Sequence, residues 1–142
     1  MDKYENIRLK NQLCFPLYAG AKEIVRKYKP FLDEIGLTYT QYISMMVMWE
    51  LRTINVKELG QCLYLDSGTL TPVLKKLEDK GYITRTRSKT DERNLCVEIT
   101  DKGDNLKEKA VEIQKQIGTC IPLTHEESIQ LYHLLYKLLG EE

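Results

Sequence analysis

The stretch from Asn55 to Ile99 limits the possible folds more than any other part of the chain, because the repeat of its apolar side chains changes partway along. Asn55 is suited to an N-cap, and Glu58 follows three residues later, which predicts a short helix through Leu63. Asp66 caps a second helix, Ser67 to Lys80, with Leu70, Val73, Leu74 and Leu77 on one face and Gly81 as its stop. Only Tyr64-Leu65 separates the two, so they form a helix-turn-helix pattern. Beyond Gly81 the repeat is two residues. Tyr82, Thr84, Thr86 and Ser88 alternate with Ile83, Arg85 and Arg87, and Leu95, Val97 and Ile99 alternate with Cys96 and Glu98. The polar run Lys89 to Asn94 between these strands predicts a hairpin tip.

The flanks are helical. Leu13, Leu17, Ala21, Ile24 and Tyr28 predict an amphipathic helix over 13–29 that Pro30 ends. Pro16 allows two beginnings: a kink near Pro16, or a start there that leaves Cys14 beside the helix N-terminus. A helix over 40–50 has Ile43, Met46, Val47 and Met48 almost all round it and reads as the buried centre. Thr100 with Gly103 opens a long helix to Ile117 through Leu106, Ala110 and Ile113, and Pro122 breaks it. Thr124 and Glu127 form a capping box for a last helix carrying Ile129, Leu131, Leu134, Leu135, Leu138 and Leu139. A small monomer has too little surface to cover that many leucines, so the terminal helices predict a homodimer. The expected fold is mainly α with a small β-ribbon, a winged helix-turn-helix dimerised through its N- and C-terminal helices. Residues 1–142 form a single domain, with about 36–100 as the winged lobe and 1–35 and 101–142 as dimerisation helices.

Charge and side-chain chemistry narrow the function. The 142 residues balance 21 Lys/Arg against 21 Asp/Glu, which excludes a uniformly basic coat, yet residues 66–94 hold seven basic groups against five acidic. Ser67, Thr69, Thr71, Lys75 and Lys76 lie off the leucine stripe. Small hydroxyl groups near a helix N-terminus can approach base edges and phosphates, and lysines further along can anchor the backbone. By itself this face could equally be a solvated one. Arg85, Arg87, Lys89 and Arg93 on the adjacent ribbon suit a minor groove or its phosphates, and the combination points to double-stranded DNA. Asp91 can orient Arg93 across the turn, or the two form an ordinary hairpin charge pair.

Other chemistries lack their residues. There is no Cys-x-x-Cys, His-x-x-x-His, Gly-x-Gly-x-x-Gly or Gly-x-Ser-x-Gly, so no metal, no cofactor and no enzyme activity are expected. The longest nearly apolar run, Tyr42 to Trp49, is far shorter than the roughly 20 residues a membrane span needs. The first six residues are mixed in charge and lack an apolar signal stretch, which predicts a cytoplasmic protein whose Cys14, Cys62, Cys96 and Cys120 stay reduced. Cys62 and Cys96 read as structural, and Cys120, at a helix end, as accessible. Cys14 is either a small hydrophobe or a reactive thiol. Reactivity requires a stabilised thiolate, supplied by helix N-terminal donors or by hydroxyls among Tyr18, Tyr28, Tyr39 and Tyr42.

Several stretches taken together resemble a known family. Asn11-Gln12-Leu13-Cys14-Phe15-Pro16-Leu17-Tyr18, Tyr28-Lys29-Pro30, Tyr39-Thr40-Gln41-Tyr42 and Leu63-Tyr64-Leu65-Asp66-Ser67-Gly68-Thr69-Leu70-Thr71-Pro72 are similar to the organic-hydroperoxide-sensing branch of the MarR family of winged-helix repressors. Asp91-x-Arg93 and the strand after it resemble the family at large, and the likeness runs from Leu9 to Leu139. The resemblance implies a homodimeric repressor of operator DNA in which Cys14 is the peroxide-reactive thiol and Tyr28 and Tyr39 hydrogen-bond it from the partner subunit. An organic hydroperoxide would oxidise Cys14 to a sulfenic acid, Cys120 of the other chain or an external low-molecular-weight thiol would condense with it, and DNA would be released. Pro16 stands where better-known members have alanine. Two other functions compete: a repressor of the same type released by a small aromatic ligand, and a thiol peroxidase.

Overall fold

The computed structural model describes residues 2–87 and 94–141. Two 3-10 turns, Glu5–Ile7 and Leu9–Asn11, lead into α1 (Cys14–Asp33). The helix begins at Cys14, two residues before the start expected at Pro16, so Cys14 is its first residue. Pro16 is the third helical residue, where a backbone N–H would have no intrahelical acceptor, and the missing donor costs nothing. Pro30 does not end the helix as expected. It removes one bond three residues before the last helical residue, while the buried Leu32 and the Lys29–Asp33 ion pair at 3.0 Å retain the final turn.

Helix α2 (Tyr39–Leu51) is entered through a capping box the sequence reading missed: Thr38 Oγ1 accepts the Gln41 N–H, and Gln41 Oε1 accepts the Thr38 N–H. The helix is central as expected, but its innermost face is Tyr42, Met45 and Met48. Ile43 and Val47 are half-buried, and Met46 is exposed. Buried Ser44 satisfies its hydroxyl by donating to the Thr40 carbonyl at 2.7 Å.

Strand β1 (Thr53–Asn55) was also not foreseen, because three residues carry too little alternation to read. Helices α3 (Val56–Leu63) and α4 (Ser67–Asp79) follow, capped by Asn55 and Asp66 as expected, and Gly81 after them takes a positive φ of 81°. Strands β2 (Ile83–Arg87) and β3 (Leu95–Ile99) complete an antiparallel sheet of order β1-β3-β2. Val97 pairs with Ile54 on one side and Arg85 on the other, so the ribbon is anchored to the body by its inner strand.

The long helix expected from Thr100 to Ile117 is two, α5 (Asp101–Asn105) and α6 (Lys107–Cys120). They divide at the buried Leu106, whose N–H bonds the Gly103 carbonyl three residues back. Helix α7 (His125–Leu138) starts at the expected Thr124–Glu127 capping box. Leu59, Leu70, Leu74, Leu77, Ile83 and Val97 form the core of the winged lobe. It continues through α2 to Tyr28 and Leu32 of α1 and to Ala110, Ile113 and Ile117 of α6. Helix α7 contributes no buried residue. Among the described residues, no helix is long and apolar enough to cross a membrane.

Candidate functional site

Helix α4 presents a polar face because its apolar residues recur at helical spacing. Leu70, Leu74 and Leu77 are buried, and Ser67, Thr69, Thr71, Lys75 and Lys76 are all exposed. Asp66 fixes the start of this helix, its Oδ1 accepting the Thr69 N–H at 2.7 Å, and that bond holds the carboxyl below its usual range. Thr71 donates its hydroxyl to the Ser67 carbonyl at 2.7 Å, which commits its hydrogen and leaves the oxygen as an acceptor.

The wing differs in detail from the expected basic ribbon. Ile83 and Arg85 share the face of β2 turned toward α4, while Thr84 and Thr86 are exposed. The Arg85 guanidinium lies 3.2 Å from Glu78 Oε1 of α4, and its backbone N–H donates to Glu78 Oε2 at 2.9 Å. These bonds hold the Glu78 carboxyl below its usual range. Arg85 therefore braces the wing against α4. Arg87 ends the strand, exposed. Lys89, Asp91 and Arg93 lie outside the described residues.

A second brace was not readable in the sequence. Lys80, at the C-terminal end of α4, donates its ammonium to the Gly36 carbonyl and, at 3.2 Å, to Gln41 Oε1. The far end of the recognition helix is thereby bonded to the first turn of α2, two residues from Tyr39.

Tyr28 and Tyr39 are brought together, their ring centroids 5.1 Å apart, and Tyr42 lies 5.8 Å from Tyr28. Burial raises the Tyr39 and Tyr42 hydroxyls above the ordinary tyrosine value, so both remain neutral donors. Gln114 of α6 completes the cluster: its amide nitrogen donates to Tyr42 Oη at 2.7 Å and Tyr28 Oη at 3.3 Å. No local pattern marks Gln114, whose partners are 72 and 86 residues away. Cys14 is exposed at the N-terminal end of α1, one turn before Tyr18. Fourteen residues of one continuous helix separate it from Tyr28, an axial distance of about 21 Å. A groove of about 940 Å³ lined by Phe15, Tyr18, Leu32, Leu37 and Tyr39 runs between the two positions.

Cys120, the last residue of α6, is exposed, and its thiol donates to the Gln116 carbonyl at 3.5 Å. Cys96 is half-buried in β3, but Cys62 is exposed, contrary to the structural role expected for it. All four cysteines are free thiols.

A helix-turn-helix whose second helix is braced against a three-stranded antiparallel sheet defines a winged-helix DNA-binding fold. The profile of the family described as Transcriptional regulator SarA/Rot matches residues 26–110. The chain is also 47% identical over 138 residues to the organic hydroperoxide resistance transcriptional regulator of Bacillus subtilis strain 168, covering 97% of this chain and 94% of that one. The chain belongs to the MarR-type winged-helix transcriptional regulators, in the branch that holds the organic hydroperoxide resistance regulators. Among solved structures it is similar to reduced AbfR bound to DNA, from the AbfR of Staphylococcus epidermidis, at 33% identity and a TM-score of 0.81, covering 98% of this chain and 95% of that one. It is less similar to disulfide-formed AbfR, at 34% identity and a TM-score of 0.69 over 97% of this chain and 94% of that one.

Proposed function

We propose that the protein is a homodimeric repressor that grips double-stranded operator DNA while Cys14 is a thiolate and lets go when an organic hydroperoxide oxidises it. The observation that carries this reading is the packed pair of phenols, Tyr28 and Tyr39, of which Tyr28 lies about 21 Å along α1 from the Cys14 of its own chain. They are thus free to serve the Cys14 of the partner subunit.

The thiolate attacks one peroxide oxygen, an S–O bond forms and the O–O bond breaks. Sulfur is oxidised to sulfenic acid, and the alkoxide leaves as the alcohol after taking a proton. A second thiol then attacks the sulfenic sulfur, forming a disulfide and releasing water. The exposure of Cys120 suits it to this step across the dimer, and a low-molecular-weight thiol is the other candidate. Movement of Tyr39 is passed to α4 through Gln41 and Lys80. Two heads that must meet major grooves about 34 Å apart lose affinity when either shifts. One equivalent of peroxide consumed per Cys14, without turnover, separates a sensor from a peroxidase. A repressor of this kind acts in the cytoplasm, where its operator lies.

The test is retention of purified protein on its operator before and after cumene hydroperoxide, with and without reductant. Release that reductant reverses supports the proposal, and unchanged retention overturns it. A repressor released by an aromatic ligand is favoured only by the groove beside Tyr39, and aromatic-induced release that persists in Cys14→Ser would establish it.

Two further expectations arise here. If Lys75 and Lys76 contact phosphates, changing either to alanine lowers the slope of log K against log salt by about 0.9, whereas Arg85→Ala weakens binding with little change of slope. Titrations of operator binding across a salt series distinguish the two. The exposed Ile129, Leu131, Leu134 and Leu138 of α7, together with Leu13 and Leu17 near the start of α1, supply the dimer face. Thermal midpoints are therefore expected to fall on dilution, and Leu134→Glu is expected to sediment as a monomer.

A further inference from the structure

We infer that Gln114 is a positioning residue of the thiol sensor, setting the direction in which the Tyr28 phenol donates its hydrogen; the inference rests on the redox reading above. An amide nitrogen carries two hydrogens and accepts none. Gln114 Nε2 lies within hydrogen-bond distance of both Tyr28 Oη and Tyr42 Oη, so it gives one hydrogen to each. A phenol oxygen that is accepting keeps its own O–H and must point it elsewhere.

The neighbours of Tyr28 make that direction matter. Its ring meets Tyr39 and Tyr42 from α2, and Gln114 reaches its oxygen from α6. Without the amide, the Tyr28 hydrogen could turn inward to the Tyr42 oxygen, and the phenol would then be spent within its own protomer. With the amide in place, its two N–H groups occupy the inner side of both oxygens, so the Tyr28 hydrogen is turned away from the amide, toward an acceptor outside this cluster, the partner's Cys14 thiolate. Accepting a hydrogen bond also polarises the phenol and makes it the stronger donor. Gln114 thus couples α6, the helix that ends in Cys120, to the state of Cys14.

Two substitutions separate this role from simple packing. Gln114→Leu removes the donor. Gln114→Glu keeps the shape but reverses the bonds, since a carboxylate accepts from both phenols and draws their hydrogens inward. The pH dependence of Cys14 alkylation, followed by peptide mass spectrometry, and the rate of oxidation by cumene hydroperoxide are measured in wild type, Tyr28→Phe, Gln114→Leu and Gln114→Glu. Thermal melts serve as the folding control, and the isosteric Gln114→Glu stands if Gln114→Leu fails to fold.

The alkylation midpoint is expected to rise by about one pH unit in Gln114→Leu and further in Gln114→Glu, with oxidation at neutral pH slowed about tenfold. A shift in Tyr28→Phe with both Gln114 variants following wild type overturns the role of Gln114 and leaves the redox reading standing. If Tyr28→Phe also follows wild type, the Tyr28 phenol does not hold the thiolate and this inference falls, whereas the redox reading falls only if peroxide leaves operator retention unchanged.

Discussion

Cys14→Ser protein is expected to remain on its operator at hydroperoxide concentrations that strip the wild type away. Serine preserves the size of the side chain, but its hydroxyl does not ionise near neutral pH and its oxygen cannot be oxidised to the sulfenic level. Coupling between two sites in a protein is typically about 1–3 kcal/mol, which corresponds to about 5–150-fold in affinity. Wild-type affinity should fall within that range on oxidation, and the Cys14→Ser affinity should change less than about twofold, as read by fluorescence anisotropy of a labelled operator. Exposure does not single out Cys14, because Cys62 and Cys120 are exposed as well. On the function proposed above, the distinction is stabilisation of the thiolate by the phenols of the Tyr28–Tyr39 pair. Cys62→Ser should therefore release DNA as the wild type does. Release of Cys14→Ser by peroxide would remove this thiol from the mechanism.

The largest expected loss of stability comes from Gly103→Ala. In most helices that change is favourable by about 1 kcal/mol. Here a Cβ would lie 2.2 Å from the Tyr82 carbonyl oxygen and 3.1 Å from Ile99 Cγ1. The carbonyl cannot move aside, since it already accepts the Thr100 N–H at 3.0 Å, and the Gly103 carbonyl accepts Trp49 Nε1–H at 2.8 Å. Forcing atoms into a packed site costs about 3 kcal/mol, so the clash wins by about 2 kcal/mol. A midpoint lower by about 6 °C in a thermal melt is expected for a domain of this size. A midpoint equal to or above the wild type would show that α5 can lift off the wing without penalty.

What could be read in advance was local. Caps at Asn55, Asp66, Thr100 and Thr124, the stop at Gly81 and the two-residue alternation in the ribbon act within a few residues, and the helix-turn-helix and wing followed from them. What escaped was decided at a distance. Strand β1 exists because β3 offers it an edge, and Pro30 stays helical because Leu32 is buried. Arg85 looked like a DNA contact until the side of β2 that faces Glu78 was known. The site divides in the same way. Cys14, Tyr28 and Tyr39 stood out through stretches resembling a family, but Gln114 and Lys80 bond residues tens of positions away, and no local pattern marks them.

The unbroken course of α1 has a genetic corollary. Because α1 runs unbroken from Cys14 past Tyr28 and, on the function proposed above, the phenols of the partner serve each thiol, every protomer would carry halves of two different sensors and a complete sensor would span the pair. An allele lacking the thiol and an allele lacking the phenols would each be blind alone. Expressed together they would complement, since their mixed dimer holds one intact pairing beside one that is doubly broken.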